Sequence, residues 1–512
     1  MPVMVVIPTN GYGRRRVVVD KVQRIRSNRV VDAEEQYLVQ WKVDTRTNTP
    51  PLSWHAIEEL VRCLDEVQDY LDARAKSIDG NPASTKRKTP DTTDVPERRA
   101  SPFDRLRNNR TPSASRSSSV SSAAPTTIDV YNGVLDADDD GFIFCRPFSG
   151  TDIPSLDIRK VPTPDMTRTA RSAKVERALR YIRAEYIRRL GKLPGPQIHL
   201  YNTVDASTPS LRFRYISDYV LTEGVYRMPL ETQQGCQQCS PHMGRSIGCE
   251  YTRKCDCLEY AAVDESRITS PQMLAEYQHY QTTRDGGTMG FPKKFPYFAE
   301  GTKIQRTGCL VPFYLNSRRP IYECNDKCAC GPYCRNKLVQ FGRTVQLEIF
   351  KTNANDGRGW GLRAKEDLHE GQFIDTYRGE IVTDAVATAR ETASSNAKAK
   401  ASYLYSLDKF AESENLPDED LYVVDGEFMG GPTKFINHCC QPNCRQYTVS
   451  YNKHDCRVYD IAFFACRFIP KGEELTFDYL DQEDEGEGMD EPGEGAIPCL
   501  CGAAKCRKWL WT

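Results

Sequence analysis

The sequence predicts a multidomain, mainly β protein whose C-terminal half carries metal-binding cysteine modules. Its 512 residues are enough for about three domains of ~150 residues each. Strand-like segments rich in β-branched and aromatic residues occur near the N-terminus and again beyond the cysteine clusters. Most of the 20 cysteines lie after residue 235 in clusters. In a reducing compartment, this clustering is typical of metal ligands and not of disulfides.

The overall charge gives no bulk attraction to nucleic acid or membrane, because 69 basic residues balance 70 acidic ones. No stretch approaches the ~20 apolar residues of a membrane helix. The apolar run at the N-terminus is too short for a signal peptide, and its arginines follow the run. We therefore expect a soluble, intracellular protein without membrane contact.

Residues 17–75 have the pattern of a small sheet followed by a helix. VVVDKVQRI and EEQYLVQWK read as paired strands. Helical spacing then links Ile57, Leu60, Val61, Leu64, Val67 and Leu71.

Residues 76–135 are dominated by Ser, Thr, Pro and Arg, which predicts a disordered basic linker. The linker reads mainly as a solvated tether, and a weak nucleic-acid contact is the alternative.

Residues 136–230 contain a basic helix with apolar residues near one face. These residues are Val175, Leu179, Ile182, Tyr186 and Leu190. The pattern favours an ordinary packing helix, and a basic surface for nucleosomal DNA is the second interpretation.

Two cysteine sets lie in residues 231–338. The first is Cys236, Cys239, Cys249, Cys255 and Cys257, and the second is Cys324, Cys328, Cys330 and Cys334. Nine thiolates do not divide into sites of four. They supply the twelve bonds of three tetrahedral zinc ions if six bind one metal and three bridge two. The sequence therefore predicts a cluster of three zinc ions.

Residues 499–512 contain three further cysteines, Cys499, Cys501 and Cys506, which is one ligand short of a closed zinc site. Cys440, in FINHCCQPN at 435–443, can supply the fourth ligand. This set predicts one more zinc ion, which would hold the tail over Asn437 and His438. An open catalytic zinc with three ligands is the alternative.

Residues 482–498, before the tail, form an acidic loop. We interpret this loop as a spacer, with repulsion of ligands at the site as the second hypothesis.

Five motifs stand in a recognisable order: GWG at 359–361, YRGE at 377–380, YLYSLD at 403–408, FINHCCQPN, and ELTFDY at 474–479. In this order they resemble a SET domain, and the flanking cysteine sets resemble pre-SET and post-SET modules. The whole resembles the fungal members of the suppressor-of-variegation class of histone H3 lysine-9 methyltransferases. The resemblance implies a SET fold of small curved β-sheets over residues 339–481, with pre-SET and post-SET zinc modules.

The same resemblance implies the activity and the site. It implies S-adenosyl-L-methionine as methyl donor, the histone H3 tail and nucleosome as partners, chromatin-silencing proteins as further partners, and a nuclear, chromatin-bound location. The implied cofactor residues are Gly359, Trp360, Tyr403, Lys434, Asn437 and His438. The implied catalytic residues are Tyr479, Tyr377, His438 and Phe477. Phe477, at the position of the family's product switch, implies a trimethyl product.

The N-terminal unit resembles a chromodomain, which reads methyl-lysine with an aromatic cage. Trp41 keeps one wall of such a cage, whereas Val17 and Asp44 stand where two further aromatic residues are expected. We therefore predict a degenerate chromodomain that makes protein or nucleic-acid contacts, with weak trimethyl-lysine binding as the second hypothesis.

Two other functions compete with the H3 enzyme. One is a chromatin-binding scaffold with an inert SET fold, and the other is a methyltransferase for non-histone proteins. Intact Tyr377, Asn437, His438 and Tyr479 favour an enzyme over a scaffold.

Overall fold

The computed structural model describes residues 22–42, 52–78, 127–137, 143–147, 155–157, 161–239, 258–283, 285–288, 290–299, 307–353, 356–393, 403–452, 455–480 and 497–510. The described residues form two compact units: those between 22 and 186, together with 206–212, form the first, and those at 187–205 and between 213 and 510 form the second. Within the described ranges, no helix combines the length and the apolar character that crossing a bilayer requires.

The first unit begins with the predicted sheet and helix. Strands β1 (Val22–Val31) and β2 (Glu34–Trp41) form an antiparallel hairpin, and β3 (Leu52–Ala56) pairs antiparallel with β2. Helix α1 (Leu64–Ile78) follows. It starts at Leu64, whereas the helical spacing in the sequence predicts a start at Ile57. A short 3-10 turn (Ile57–Leu60) precedes it, and Val61 is exposed.

The chromodomain assignment stays a prediction. Val17, Asp44 and the side chain of Trp41 lie outside the described residues, so the structure does not test the aromatic cage.

The C-terminal boundary predicted for the disordered linker, residue 135, lies beyond the start of a strand. Strand β4 (Thr127–Ala137) begins inside residues 76–135 and pairs parallel with β3. Strands β5 (Ile143–Pro147) and β6 (Ser155–Asp157) pair antiparallel with β4. The segment TIDVYNGVL is rich in β-branched residues, which favour strands once a sheet edge is available. Residues 79–126 lie outside the described residues.

Helices α2 (Pro164–Ser172) and α3 (Glu176–Leu190) follow. Helix α3 buries Ala178, Ile182, Tyr186 and Leu190, which recur every four residues. Its first turn is capped by the Glu35 carboxylate, which accepts hydrogen bonds from two backbone N–H groups at 2.6 and 3.0 Å. These contacts support the packing interpretation of the helix, and the nucleosomal surface stays a prediction.

The second unit consists of short strands in small sheets, as the sequence predicts. Its strands are β7 (His199–Tyr201), β8 (Arg214–Tyr215), β9 (Val220–Leu221), β10 (Ile321–Tyr322), β11 (Leu347–Lys351), β12 (Trp360–Ala364), β13 (Phe373–Tyr377), β14 (Glu380–Thr383), β15 (Leu404–Ser406), β16 (Tyr422–Asp425), β17 (Met429–Gly430), β18 (Asn437–His438), β19 (Cys444–Ser450), β20 (Asp460–Ala465), β21 (Thr476–Phe477), β22 (Ile497–Pro498) and β23 (Trp509–Leu510). Its helices are α4 (Pro271–Thr283), α5 (Pro312–Ser317), α6 (Asp384–Ala393) and α7 (Ala411–Glu414).

Three sheets and one strand pair position the candidate site. The sheet orders are β12-β11-β7, β10-β19-β20-β13 and β15-β16-β14-β9, and β18 pairs with β21. The second of these sheets packs on a core that includes Tyr297, Leu310, Val449 and Phe464. Because β13, β15 and β21 each contain residues of a different predicted motif, residues far apart in sequence come together.

Candidate active site

Four aromatic rings form a continuous row. Ring centroids lie 4.8 Å apart between Tyr377 and Tyr405, 6.1 Å between Tyr405 and Phe477, and 4.7 Å between Phe477 and Tyr479. These separations suit edge and face attraction between rings. A row of ring faces can also accommodate a methylated ammonium group. The row therefore has the chemistry of a lysine channel.

The phenols at the two ends of the row, Tyr377 and Tyr479, donate their protons to backbone carbonyl groups. The Tyr377 hydroxyl donates to the Tyr403 carbonyl oxygen at 3.0 Å, and the Tyr479 hydroxyl donates to that of Ile436 at 2.9 Å. Each phenol oxygen therefore retains lone pairs that can accept an amine N–H. Burial raises the pKa of Tyr377 well above its ordinary value, so this phenol stays protonated. A side chain at Gly426 would collide with the Tyr377 hydroxyl.

The strand Asn437–His438 aligns the histidine with the aromatic row. Strand β18 pairs parallel with β21, so that His438 lies opposite Phe477. The backbone N–H of Tyr479 donates to His438 Nδ1 at 3.1 Å, and the two rings lie 5.4 Å apart. His438 thus fixes the main chain at Tyr479.

The GWG turn depends on Gly359, whose φ of +79° favours glycine. Its carbonyl oxygen accepts hydrogen bonds from the N–H and hydroxyl groups of Thr352 at 2.9 and 3.1 Å. Trp360 is buried at the start of β12, and Lys351 Nζ lies 4.9 Å from its ring centroid. The turn therefore holds a buried tryptophan at the edge of the site.

Glu474 joins the GWG turn to the strand Asn437–His438, and we did not single it out from the sequence. The Asn437 amide donates to Glu474 Oε1 at 2.7 Å and to the Trp360 carbonyl oxygen at 3.1 Å. Arg358 Nη1 donates to Glu474 Oε2 at 2.7 Å. One carboxylate thus links two of the segments that the family resemblance implies for the cofactor. Its presence in the ELTFDY motif is the signal that could have identified it.

Lys434 and Tyr403 are both buried, with Lys434 Nζ 5.1 Å from the Tyr403 ring centroid. Burial lowers the pKa of Lys434 to about 7, opposed by Glu427 and Asp425. One N–H group of Lys434 donates to the Glu427 carbonyl oxygen at 2.7 Å. The buried Tyr403 hydroxyl has no hydrogen-bond partner within the described ranges. A buried amine and an unsatisfied hydroxyl fit a ligand with a carboxylate and other polar groups, as S-adenosylmethionine has.

The C-terminal cysteines meet Cys440 in one cluster. Sulfur atoms within 4.8 Å of one another belong to Cys440, Cys499, Cys501 and Cys506. The Cys440 and Cys499 sulfur atoms are 3.8 Å apart. Tetrahedral zinc with Zn–S bonds of about 2.3 Å requires sulfur separations of about 3.8 Å. Backbone N–H groups of Arg507, Ala503 and Lys508 point at three of these sulfur atoms at 3.3–3.5 Å. The cluster therefore fits zinc, with the second shell that metal thiolates need.

The pre-SET cysteines also gather in a buried cluster. The described members are Cys236, Cys239, Cys324, Cys328, Cys330 and Cys334. Among them, Cys324, Cys330 and Cys334 have sulfur atoms within 4.8 Å of one another. Cys249, Cys255 and Cys257 lie outside the described residues, so the count of three zinc ions stays a prediction.

Family models match two parts of the chain: the SET domain at residues 359–480 and the Pre-SET motif at residues 191–337. The chain is 38% identical over 308 residues to the histone-lysine N-methyltransferase, H3 lysine-9 specific KMT1, of Fusarium mangiferae. That match covers 58% of this chain and 83% of the relative. The chain belongs to the SET-domain family of histone-lysine N-methyltransferases. The predicted SET fold and family resemblance are thereby confirmed.

Two further similarities lie within this SET-domain family. The H3 lysine-9 specific enzyme dim-5 of Neurospora crassa is 36% identical, and the match covers 61% of this chain and 88% of the relative. The solved structure of the Neurospora SET domain protein DIM-5 is 33% identical, with a TM-score of 0.46. This match covers 57% of this chain and 97% of the solved chain.

Changing Glu474→Ala should weaken cofactor binding more than it slows chemistry. Loss of the charged acceptor frees Asn437 and Arg358 together, so we expect the KM for S-adenosylmethionine to rise about 10-fold. Steady-state kinetics with varied cofactor and a saturating peptide measure this change. The matched control is Glu473→Gln, because Glu473 pairs instead with exposed Arg467. An unchanged cofactor KM in Glu474→Ala would contradict this role.

Proposed function

We propose that this SET-domain protein transfers methyl groups from S-adenosylmethionine to lysine 9 of histone H3, up to the trimethyl state. The observation that carries the proposal is the row of Tyr377, Tyr405, Phe477 and Tyr479, in which the hydroxyls at the two ends, those of Tyr377 and Tyr479, can accept an amine N–H. Support for the substrate comes from the relatives, which are named H3 lysine-9 specific.

The chain's own residues prepare the amine for attack. S-adenosylmethionine, when bound, supplies the methyl group on its sulfur. Free lysine has a pKa of ~10.4, so its amine must lose a proton before it attacks. The apolar ring faces favour the neutral amine by desolvation. In the first and second transfers, the oxygens of Tyr377 and Tyr479 accept the remaining N–H bonds of the neutral amine and aim its lone pair; the dimethylated amine has no N–H left. Since both phenol protons are held by carbonyl groups, we assign these phenols an orienting role and the released proton to solvent.

Phe477 supports a trimethyl product. Its buried ring lies 4.9 Å from the Phe463 centroid and 4.7 Å from that of Tyr479. A tyrosine at this position would place a hydroxyl among these rings, where it would hold the amine or a water and crowd further methyl groups. Phenylalanine leaves that volume to the methyl groups.

The variant Phe477→Tyr tests both the reaction and the product state. We expect wild-type protein to convert a histone H3 peptide to the trimethyl form, and Phe477→Tyr to stop mainly at monomethyl and dimethyl forms. Mass spectrometry of peptide products over time measures the distribution. The matched control is Phe468→Tyr, because Phe468 is an exposed ring of the same domain.

Three outcomes decide between the proposals. A Phe477→Tyr product that is still mainly trimethyl would contradict the role of Phe477. Equal methylation of a peptide with alanine at position 9 would contradict the substrate site and show that a different lysine of the same peptide is the target. Absence of methyl transfer by zinc-loaded wild-type protein would favour the inert scaffold.

On the same basis, we propose a nuclear, chromatin-bound enzyme. Its proposed partners are the histone H3 tail, the nucleosome and chromatin-silencing proteins. The proposed metal content is three zinc ions in the pre-SET cluster and one at Cys440, Cys499, Cys501 and Cys506, consistent with the two thiol clusters described above.

A further inference from the structure

The aromatic row contains a hydroxyl that neither the proposed cofactor site nor the proposed amine contacts use. Tyr405 stands between Tyr377 and Phe477 in the row, with centroids 4.8 and 6.1 Å away. Its hydroxyl donates to the side-chain oxygen of Gln446 at 2.8 Å. Because Tyr405 adjoins the ring that sets the product state, the direction of its hydroxyl bond matters for the product.

We propose that Gln446 is a positioning residue for product specificity. Its amide oxygen holds the Tyr405 hydroxyl, so that this phenol does not bind the substrate amine or a water in the channel. The inference rests on the proposed trimethylation of lysine and deepens it. Under this arrangement a tyrosine at position 405 is compatible with addition of a third methyl group.

The sheet explains why Gln446 can reach the row. Gln446 lies in β19 directly opposite Phe463 in β20. Residues directly opposite each other in antiparallel strands project from the same face of the sheet. The Phe463 ring lies 4.9 Å from Phe477, so Gln446 belongs to the face on which Phe477 packs. Tyr405 reaches the same face from β15, in another sheet.

The physical basis is the free-energy cost that a partly buried phenol hydroxyl incurs when its hydrogen-bond acceptor is removed. A half-buried hydroxyl that loses its acceptor recovers the hydrogen bond from water or from a polar ligand nearby. In the row, that ligand is the substrate amine, and a bound water would occupy volume next to Phe477. Either outcome disfavours the dimethylated amine most, because it is the bulkiest nucleophile of the series. The third methyl transfer is therefore the step that Gln446 protects.

The test compares the third methyl transfer with the first. The full-length, zinc-loaded protein is assayed on unmethylated and on dimethylated H3 peptide, and the ratio of the two rates is measured by mass spectrometry. For Gln446→Leu, we expect this ratio to fall about fivefold, the effect of one net hydrogen bond. Gln446→Glu keeps an acceptor and should retain the wild-type ratio. The double variant Gln446→Leu with Tyr405→Phe should also retain it, because the hydroxyl is gone.

The ratio separates specificity from general damage, since misfolding lowers both rates together. A wild-type ratio in Gln446→Leu would overturn this inference alone. The same loss in the double variant as in Gln446→Leu would also overturn it, because the effect would not depend on the hydroxyl. Wild-type protein that fails to convert dimethyl peptide would overturn the proposed trimethylation, and this inference with it.

Discussion

Replacing Cys506 with serine is expected to lower peptide methylation about 100-fold, the loss that follows when reacting groups are misplaced. The same variant should lose one zinc ion per chain. Cys506 is one of four sulfur atoms that cluster within 4.8 Å, and a four-thiolate zinc site does not close with three. Since metal binding supplies the folding energy of such a short segment, the tail should detach.

The tail is coupled to the site by two contacts. His438 Nε2 lies 3.3 Å from the Cys440 sulfur, so the edge of the imidazole ring adjoins the cysteine cluster. Arg507, next to Cys506, donates to Asp478 Oδ1 at 2.5 Å, and Asp478 separates Phe477 from Tyr479. Detachment of the tail should therefore disturb His438 and Asp478, which both adjoin Tyr479.

Zinc content and methylation rate should be measured on the same preparation. The matched control is Cys456→Ser, because Cys456 is half-buried and belongs neither to the two cysteine sets of residues 231–338 nor to the tail cluster. We expect this control to keep its zinc and its activity. A Cys506→Ser protein with undiminished zinc, or with wild-type activity, would contradict the assignment of the tail cluster.

The fold could be predicted from the sequence because five short motifs occur along the chain in the order of a SET domain. Cys440 and the three cysteines of the tail could be grouped by counting ligands, and the structure brings their sulfur atoms together. Binding of zinc there stays a prediction. Strand β4 was missed because composition reports the cost of ordering a segment but not the presence of a sheet edge that offsets it.

Side-chain contacts across the site could not be predicted, because they join residues far apart in sequence. Arg358 and Glu474 are 116 positions apart, and Tyr405 and Gln446 are 41 apart. The YLYSLD motif contains Tyr405, but the acceptor of its hydroxyl is Gln446 in β19, which no motif of the sequence marks. Contacts of this kind depend on strand register, which a single sequence leaves open.

Replacing Tyr479 with phenylalanine is expected to lower kcat about 100-fold, the effect of losing the group that orients the nucleophile. The substitution keeps the ring contacts with Phe477 and His438, at 4.7 and 5.4 Å, and removes only the hydroxyl. Binding of S-adenosylmethionine should change little, because the contacts of Asn437 with Trp360 and Glu474 remain. Single-turnover kinetics separate the chemical step from binding.

The pH profile decides what the Tyr479 hydroxyl does. If it orients the amine, the rates of wild-type and Tyr479→Phe protein both rise with pH towards the lysine pKa of ~10.4, since the neutral amine is the nucleophile. If it were the base, the variant would lose an inflection that the wild type shows. The matched control is Tyr447→Phe, whose hydroxyl also donates to a backbone carbonyl oxygen, that of Leu315 at 2.9 Å, but within the core. A loss of kcat in that control equal to that in Tyr479→Phe would show that the loss of a buried hydroxyl bond, and not orientation of the amine, explains the effect.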